Sequence, residues 1–323
     1  MLKKLIFNVL AVLSAFIIAP ASAQVSTYPN KPIALLVPYA PGGSTDITAR
    51  LIAEHLSKRL GQQVVVENRA GAGGNIGANV VAQSAPDGYT LLMAPSSLVA
   101  NISLYKSLPY DLRKDLEPIS RIAMIPNVLV IGADSKINTF AEFIAAAKVA
   151  KPPLNYGSAG SGSSQHLAGA LFANTIKIEM GHIPYKGGAP ALVDLMGGRL
   201  DVVFAPLVEV LPFIQGKKLK ALAVTTPTRS FALPDVPTVA ETFPGFDITL
   251  WNSIMTRSGT PPEIIAKLNQ AIQYVLAQPE VLKTLRSQGS NPSGNSIDDF
   301  KKLIAQEVPK WAEIIKLSGA ETQ

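Results

Sequence analysis

Val37-Pro38-Tyr39-Ala40-Pro41-Gly42-Gly43-Ser44-Thr45-Asp46 decides how this chain is read. An apolar run at 33–37 enters the stretch and stops at a turn of two prolines and two glycines. A helical pattern then starts at Ser44 or Thr45, with Ile47, Leu51, Ile52, Leu56 and Leu60 on or near one face. Strand, glycine turn and helix start together make an anion site. The first N–H groups of a helix lack partners, and the helix dipole adds partial positive charge there. Gly42 and Gly43 let the backbone take unusual dihedrals and let a ligand approach without meeting a Cβ. As a bare strand-to-helix turn, Ser44 would serve as the N-cap. Asp46, in the first turn, is expected to order the loop by accepting backbone hydrogen bonds and to point away from a bound anion.

The same chemistry recurs downstream. Asn155-Tyr156-Gly157-Ser158-Ala159-Gly160-Ser161-Gly162-Ser163-Ser164 precedes a second helical pattern carried by Leu167, Leu171, Phe172 and Ile176. Two hydroxyl-rich helix starts suggest two half-sites closing on one ligand. His166, just after the second turn, is either a donor to that ligand or a capping residue. Gly187-Gly188, ahead of Ala189-Pro190-Ala191-Leu192, forms a third loop-to-helix junction. Asp201 and Phe204 lie on or at the end of a strand in the same region, and Lys186 reads as a solvated side chain.

Outside these loops, short β-rich runs alternate with helical patterns. Strands are expected at 33–37, 64–67, 90–94, 128–131, 155–158, 201–205, 219–225 and 251–256. Helices are expected at 45–60, 140–150, 164–175, 189–196 and 262–277, with an amphipathic stretch at 297–317 interrupted by Pro309. The alternation predicts an α/β protein with helices on both faces of mainly parallel sheets. The segment 126–246 reads as a second α/β unit inserted into the first, so that 24–125 plus 247–323 form one lobe. A chain that crosses twice between lobes has a hinge at the crossings. Ligand then sits between the lobes, outside the strand C-termini.

Lys3 and Lys4, an apolar run at 5–19 and Ala21-Ser22-Ala23 read as a cleavable secretory signal, residues 1–23. The apolar run is shorter than the ~20 residues a spanning helix needs. The expected product is periplasmic and begins at Gln24. The formal charge is +6, and removal of Lys3 and Lys4 leaves +4. With no basic block, nucleic acid is not an expected partner. The chain has no cysteine, so neither a disulfide scaffold nor a thiolate metal site is expected, and no cofactor is called for. Catalytic signatures fail as well. There is no Gly-x-Ser-x-Gly elbow, no Walker A sequence and no His-Glu-x-x-His pair. Gly71-Ala72-Gly73-Gly74-Asn75-Ile76-Gly77 misses the dinucleotide fingerprint at its sixth position, Ile76.

Several motifs, in order, resemble the Bug family, the substrate-binding receptors of tripartite tricarboxylate transporters. They are Tyr28-Pro29-x-Lys31-Pro32-Ile33, the 37–46 stretch and Val66-Glu67-Asn68-Arg69-x-Gly71-Ala72-Gly73-Gly74. Pro86-Asp87-Gly88-Tyr89-Thr90, the 157–166 loop, Pro184-Tyr185-Lys186-Gly187 and Leu233-Pro234-Asp235-Val236-Pro237-Thr238 continue the series. The resemblance covers essentially all of the chain after residue 23. It implies a two-lobed type II periplasmic-binding-protein fold and a carboxylate held by main-chain amides, hydroxyls and bridging waters. In that family the loops matching 39–46 and 158–164 grip the ligand from opposite lobes, without direct arginine pairing. Tyr39 stands where phenylalanine is common. Together with the reading of the residues themselves, the expected ligand-binding set is Tyr39, Ala40, Gly43, Ser44, Thr45, Ser158, Ala159, Gly160, Ser163, His166, Asp201 and Phe204, with no catalytic residue and no metal. The expected protein is a monomer that hands its carboxylate to membrane transporter subunits. Two rivals stay open: a sensory receptor docking a membrane sensor, and a hydrolase or isomerase using Ser158, Ser163 or His166.

Overall fold

The computed structural model describes residues 28–320; the expected signal segment, 1–23, lies outside the described residues. The first half of the architecture is β1 (Ile33–Val37), α1 (Ser44–Leu60), β2 (Val64–Asn68), α2 (Asn75–Ala82), β3 (Thr90–Pro95), α3 (Ser97–Leu104) and α4 (Leu112–Asp115). The long β4 (Leu116–Gly132) leads into α5 (Phe140–Val149), β5 (Leu154–Ser158), α6 (Ser164–Ile176), β6 (Met180–Pro184), α7 (Gly188–Met196), β7 (Val202–Pro206), α8 (Leu207–Gln215) and β8 (Leu219–Val224). Then come α9 (Val239–Thr242), β9 (Thr249–Arg257), α10 (Pro262–Leu276), α11 (Pro279–Ser287), β10 (Asn291–Pro292) and α12 (Ile297–Ser318).

Two lobes result. In the first, β1 lies parallel between β2 and β3, and β9 joins β3 antiparallel. In the second, β5 lies parallel between β6 and β7. One strand belongs to both sheets. From Leu116 to Pro126, β4 pairs with β9, and from Asn127 to Gly132 it pairs with β7 and β8.

Alternation along β1 explains why that strand sits in the middle of its lobe. Ile33, Leu35 and Val37 enter one core with Ile52 and Leu56 of α1 and Leu268 and Ile272 of α10. Leu36 faces the opposite way, toward Ala78 and Val81 of α2. A strand apolar on both faces is what a parallel sheet covered by helices on both sides demands.

The expected break at Pro309 does not occur: α12 runs unbroken through it. A mid-helix proline forfeits one backbone bond and crowds the preceding turn, but Phe300, Ile304, Trp311 and Ile314 hold the helix on either side of it by burial. The core they join also contains Leu98 and Val99 of α3 and Leu171 and Phe172 of α6. This helix thus packs on both lobes. The Nε1 groups of Trp251 and Trp311 both donate to Glu307 Oε2, at 3.1 and 2.8 Å.

Candidate ligand site between two helix starts

The N-termini of α1 and α6 meet across the interlobe seam. Gly43 is the N-cap of α1 in extended backbone (φ −80°) and contributes no side-chain cap. The left-handed position expected in this turn belongs to Gly42 (φ 83°), not to Gly43. Asp46 folds back on the loop. Its carboxylate accepts bonds from Gly42 N–H, from Asn68 Nδ2 and from Arg50 Nε and a terminal guanidinium nitrogen, each at 2.9 Å. Burial pushes this carboxyl up, but the bonds from Arg50, Gly42 and Asn68 together outweigh it, and its pKa falls below the usual range. Asn68 Nδ2 also donates to the Tyr39 carbonyl at 3.0 Å, so one charge cluster fixes the whole turn.

The α6 loop is ordered without charge. Ser163 caps the helix, accepting from His166 N–H at 3.2 Å. Gly160 and Gly162 take positive φ. Gly162 N–H donates to His166 Nδ1 at 3.1 Å. The His166 ring stacks on His182 at 4.0 Å, and Ser158 Oγ lies 2.6 Å from His182 Nε2. Burial, and secondarily its neighbour, pushes His166 down to about 3; burial pushes His182 down to about 4. Both rings are neutral at ordinary pH.

Between these starts lies a cavity of about 20 Å³, room for about one water molecule. Tyr39, Gly43, Ser44, Thr45, Ala159 and Ser163 of the expected set line it, joined by Pro95, Ser97, Ser164, Gln165, Gly188, Pro206, Glu209 and Leu250. Tyr39 Oη donates to the Gly73 carbonyl at 3.1 Å and lies 3.0 Å from Ser97 Oγ. Thr45 Oγ1 donates to Asn252 Oδ1 at 3.3 Å.

The other six expected residues lie elsewhere. Ala40 sits on the seam, where its N–H donates to the Lys186 carbonyl at 3.1 Å. Gly160 borders a groove shared with Gly71–Gly74 and Tyr105. Ser158 and His166 are spent inside the α6 loop. Phe204 is fully buried, its ring 5.4 Å from Phe172. Asp201 lies before the start of β7, where it accepts from Asn155 N–H at 2.7 Å. The cavity is at the strand's other end, beyond Pro206.

Glu209, in the first turn of α8, is the wall residue that sequence reasoning missed. Its Oε1 accepts from Ser44 N–H at 2.7 Å, and Gln165 Nε2 lies 3.4 Å from Oε2. Burial pushes its carboxyl up to about 7, against the pull of the bonds from Ser44 and Gln165. Its signal was an acid just after a strand end, at the start of an apolar run, but Pro206 and Pro212 hid the helix.

The lobes touch closely around the cavity, side chain to backbone. Tyr105 Oη donates to the Ser161 carbonyl at 3.1 Å. A Cβ added at Gly73 would collide with that same carbonyl oxygen, and one at Gly162 with Asn101 Oδ1. Among the described residues no group of three or more potential metal ligands gathers, and no helix is long and apolar enough to cross a membrane.

A two-lobed α/β fold with opposed helix starts at its seam defines the class: a type II periplasmic-binding-protein fold. Solved relatives agree. The periplasmic binding protein BugD superposes with a TM-score of 0.88 at 34% identity, covering 92% of this chain and 100% of that one. Rpa4515 of R. palustris, solved with adipate, gives the same TM-score, identity and coverage. In sequence the chain is 40% identical to BugT of Bordetella pertussis over 311 residues, 95% of each protein. Residues 48–320 match the family described as the tripartite tricarboxylate transporter family receptor, and the chain belongs to it.

Proposed function

We propose that this chain is an extracytoplasmic solute-binding protein. It captures a small organic carboxylate, aliphatic or aromatic and with one or two carboxyl groups, and delivers it to the membrane subunits of a tripartite tricarboxylate-type transporter. It works in the periplasm after loss of its signal, as a monomer. On this reading residues 24–125 with 247–323 are one lobe and 126–246 the other. Ser44, Thr45 and Ser163 grip the ligand, Tyr39, Gly43 and Ala159 shape its surroundings, and Asp46 orders the first loop.

The observation that carries the reading is the pair of opposed helix starts on one cavity. Anions are stabilised at helix N-termini by backbone amides and the helix dipole, as the Glu209 carboxylate on the Ser44 N–H already shows. Amide–carboxylate bonds also strengthen where closure excludes water. A cavity of about 20 Å³ admits no such ligand as it stands, so loading involves parting the lobes and closing them again. What supports binding over turnover is the state of the catalytic candidates. Ser158 is bonded to a part-buried His182 off the cavity wall, His166 Nδ1 accepts from Gly162 N–H, Ser163 caps α6, and no carboxylate is bonded to the His182 ring among the described residues. A nucleophile needs its base oriented and its oxygen accessible.

Thermal shift against a panel of carboxylates tests this, because a ligand of the native state alone raises its stability by mass action. At least one member should raise the melting temperature in proportion to the logarithm of its concentration. A flat response across mono-, di- and aromatic carboxylates would end the carboxylate reading.

A further inference from the structure

Glu209 is the charged side chain on the cavity wall, and its neighbours are uncharged. Its carboxylate already lies on the Ser44 N–H of α1, where an incoming carboxylate would bind. Gly188 makes the placement feasible, since a Cβ there would collide with Glu209 Oε2. Beside it, Gln165 is 1% exposed. Its Nε2 is turned to Glu209, and its Oε1 has no hydrogen-bond partner.

The charges on the packed elements are engaged elsewhere. Asp46 and Arg50 of α1 bind each other, His166 of α6 is neutral and turned to Gly162 and His182, and Asp194 of α7 is held by Tyr185 and Arg199. Among the described residues no cation is paired with Glu209. The cavity wall at Glu209 and Gln165 therefore carries a carboxylate and an unpartnered amide oxygen, with no positive charge to balance a second ligand carboxylate. Two carboxylates brought together in a buried site repel unless one takes up a proton. An N–H donor would satisfy both acceptors, and an orphaned buried acceptor costs its full desolvation penalty.

We propose that Glu209, with Gln165, is the specificity-determining element of this cleft. It selects carboxylates whose second polar group is a nitrogen donor, an ammonium or an amide, over dicarboxylates of the same length. The inference rests on the carboxylate reading above and narrows it.

Calorimetry on the purified protein at about pH 8, where Glu209 is ionised, tests it with matched probes. These are adipate, adipic acid monoamide and 6-aminohexanoate, and succinate, succinamate and 4-aminobutanoate. For the length that fits, the amide or amine should bind the native protein at least about tenfold more tightly than the diacid. Glu209→Gln should abolish that preference, and Glu209→Ser, smaller and uncharged, should do the same if the glutamine variant folds poorly. Equal or tighter binding of the diacid to the native protein overturns the proposal and leaves the carboxylate reading standing. So does a ranking unchanged in both variants. Failure of every probe to bind any of the three proteins removes the proposal, and a flat thermal-shift response to aromatic carboxylates as well removes the carboxylate reading.

Discussion

The two loops that meet at the cavity do the same job with opposite chemistry. The α1 loop is tied by an ionised carboxylate, Asp46, bonded to Arg50, Asn68 and the Gly42 amide. The α6 loop is tied by neutral rings, with His166 on the Gly162 amide and His182 on Ser158. The first depends on a charge being present and the second on charges being absent. They must therefore respond differently to acid. Asp46 has a depressed pKa, so its contribution is present above the unfolded value and is lost only as pH falls through the still lower folded one. The histidines have folded values below their unfolded 6.5. Protons bind the unfolded state more readily, and stability is lost as pH falls below about 6.5.

The sharpest break of the comparison removes the charge. Asp46→Asn loses the Arg50 pair and turns an amide toward donors. Urea unfolding should show a loss of roughly 3 kcal/mol, the upper end for charge-assisted bonds, since Asp46 is buried although Arg50 is half exposed. A loss under about 1 kcal/mol would mean that Asn68 and the glycines order the loop alone. Next in size is Gly73→Ala, which sets a methyl against the Ser161 carbonyl across the seam. Closure is blocked and carboxylate affinity should fall about 100-fold, or 2.7 kcal/mol, while the positive φ of Gly73 lowers the variant's stability by ~1 kcal/mol. Unaltered calorimetric affinity would show that the ligand is held without this contact.

Acid tests the second loop, but Glu209 masks part of the answer. Its folded value of about 7 lies above the unfolded one, so the native state gains stability as pH falls from about 7 toward 4.5 while the histidine loop loses it. Each of the three groups contributes on the order of 2 kcal/mol between pH 7 and 5, so the two histidines together outweigh Glu209. The native protein should lose roughly 4–8 °C of melting temperature across that window. Glu209→Gln should drop by roughly twice as much, and a level profile for the variant would contradict the neutral-ring account. Smallest is Ser158→Ala, which removes the bonds to His182 and Gly160. Stability should fall by about 1 kcal/mol, with ligand affinities changed little and alike. Selective loss of one ligand would move Ser158 back to the cavity.

What could be read from sequence was what local pattern dictates. The 33–60 strand, turn and helix came out within a residue, because apolar period and glycine turn are both local. Strand polarity could have removed Asp201: a residue at a strand's start lies opposite the C-terminal edge where the cavity forms. Phe204 fails by alternation, since Val203 and Ala205 share the other face. His166 needed information no local window holds. Its partner His182 is placed by the register of β6 on β5, which sets Tyr156 beside His182. Glu209 met Ser44 across 165 residues of chain, and two prolines obscured the helix that carries it.

β4 has a mechanical consequence. It enters one sheet and leaves in the other without interruption, and its change of partner falls at Pro126 and Asn127. Pro126 has no N–H to surrender there. Beside it, Thr225 N–H donates to the Asn127 carbonyl and Ile248 N–H to the Thr225 carbonyl, both near 3 Å, stitching the two crossing segments together. Sliding one sheet past the other would break these bonds; twisting both segments about their common axis keeps them. The clasp therefore favours rotation of the lobes about the crossing over sliding of one past the other.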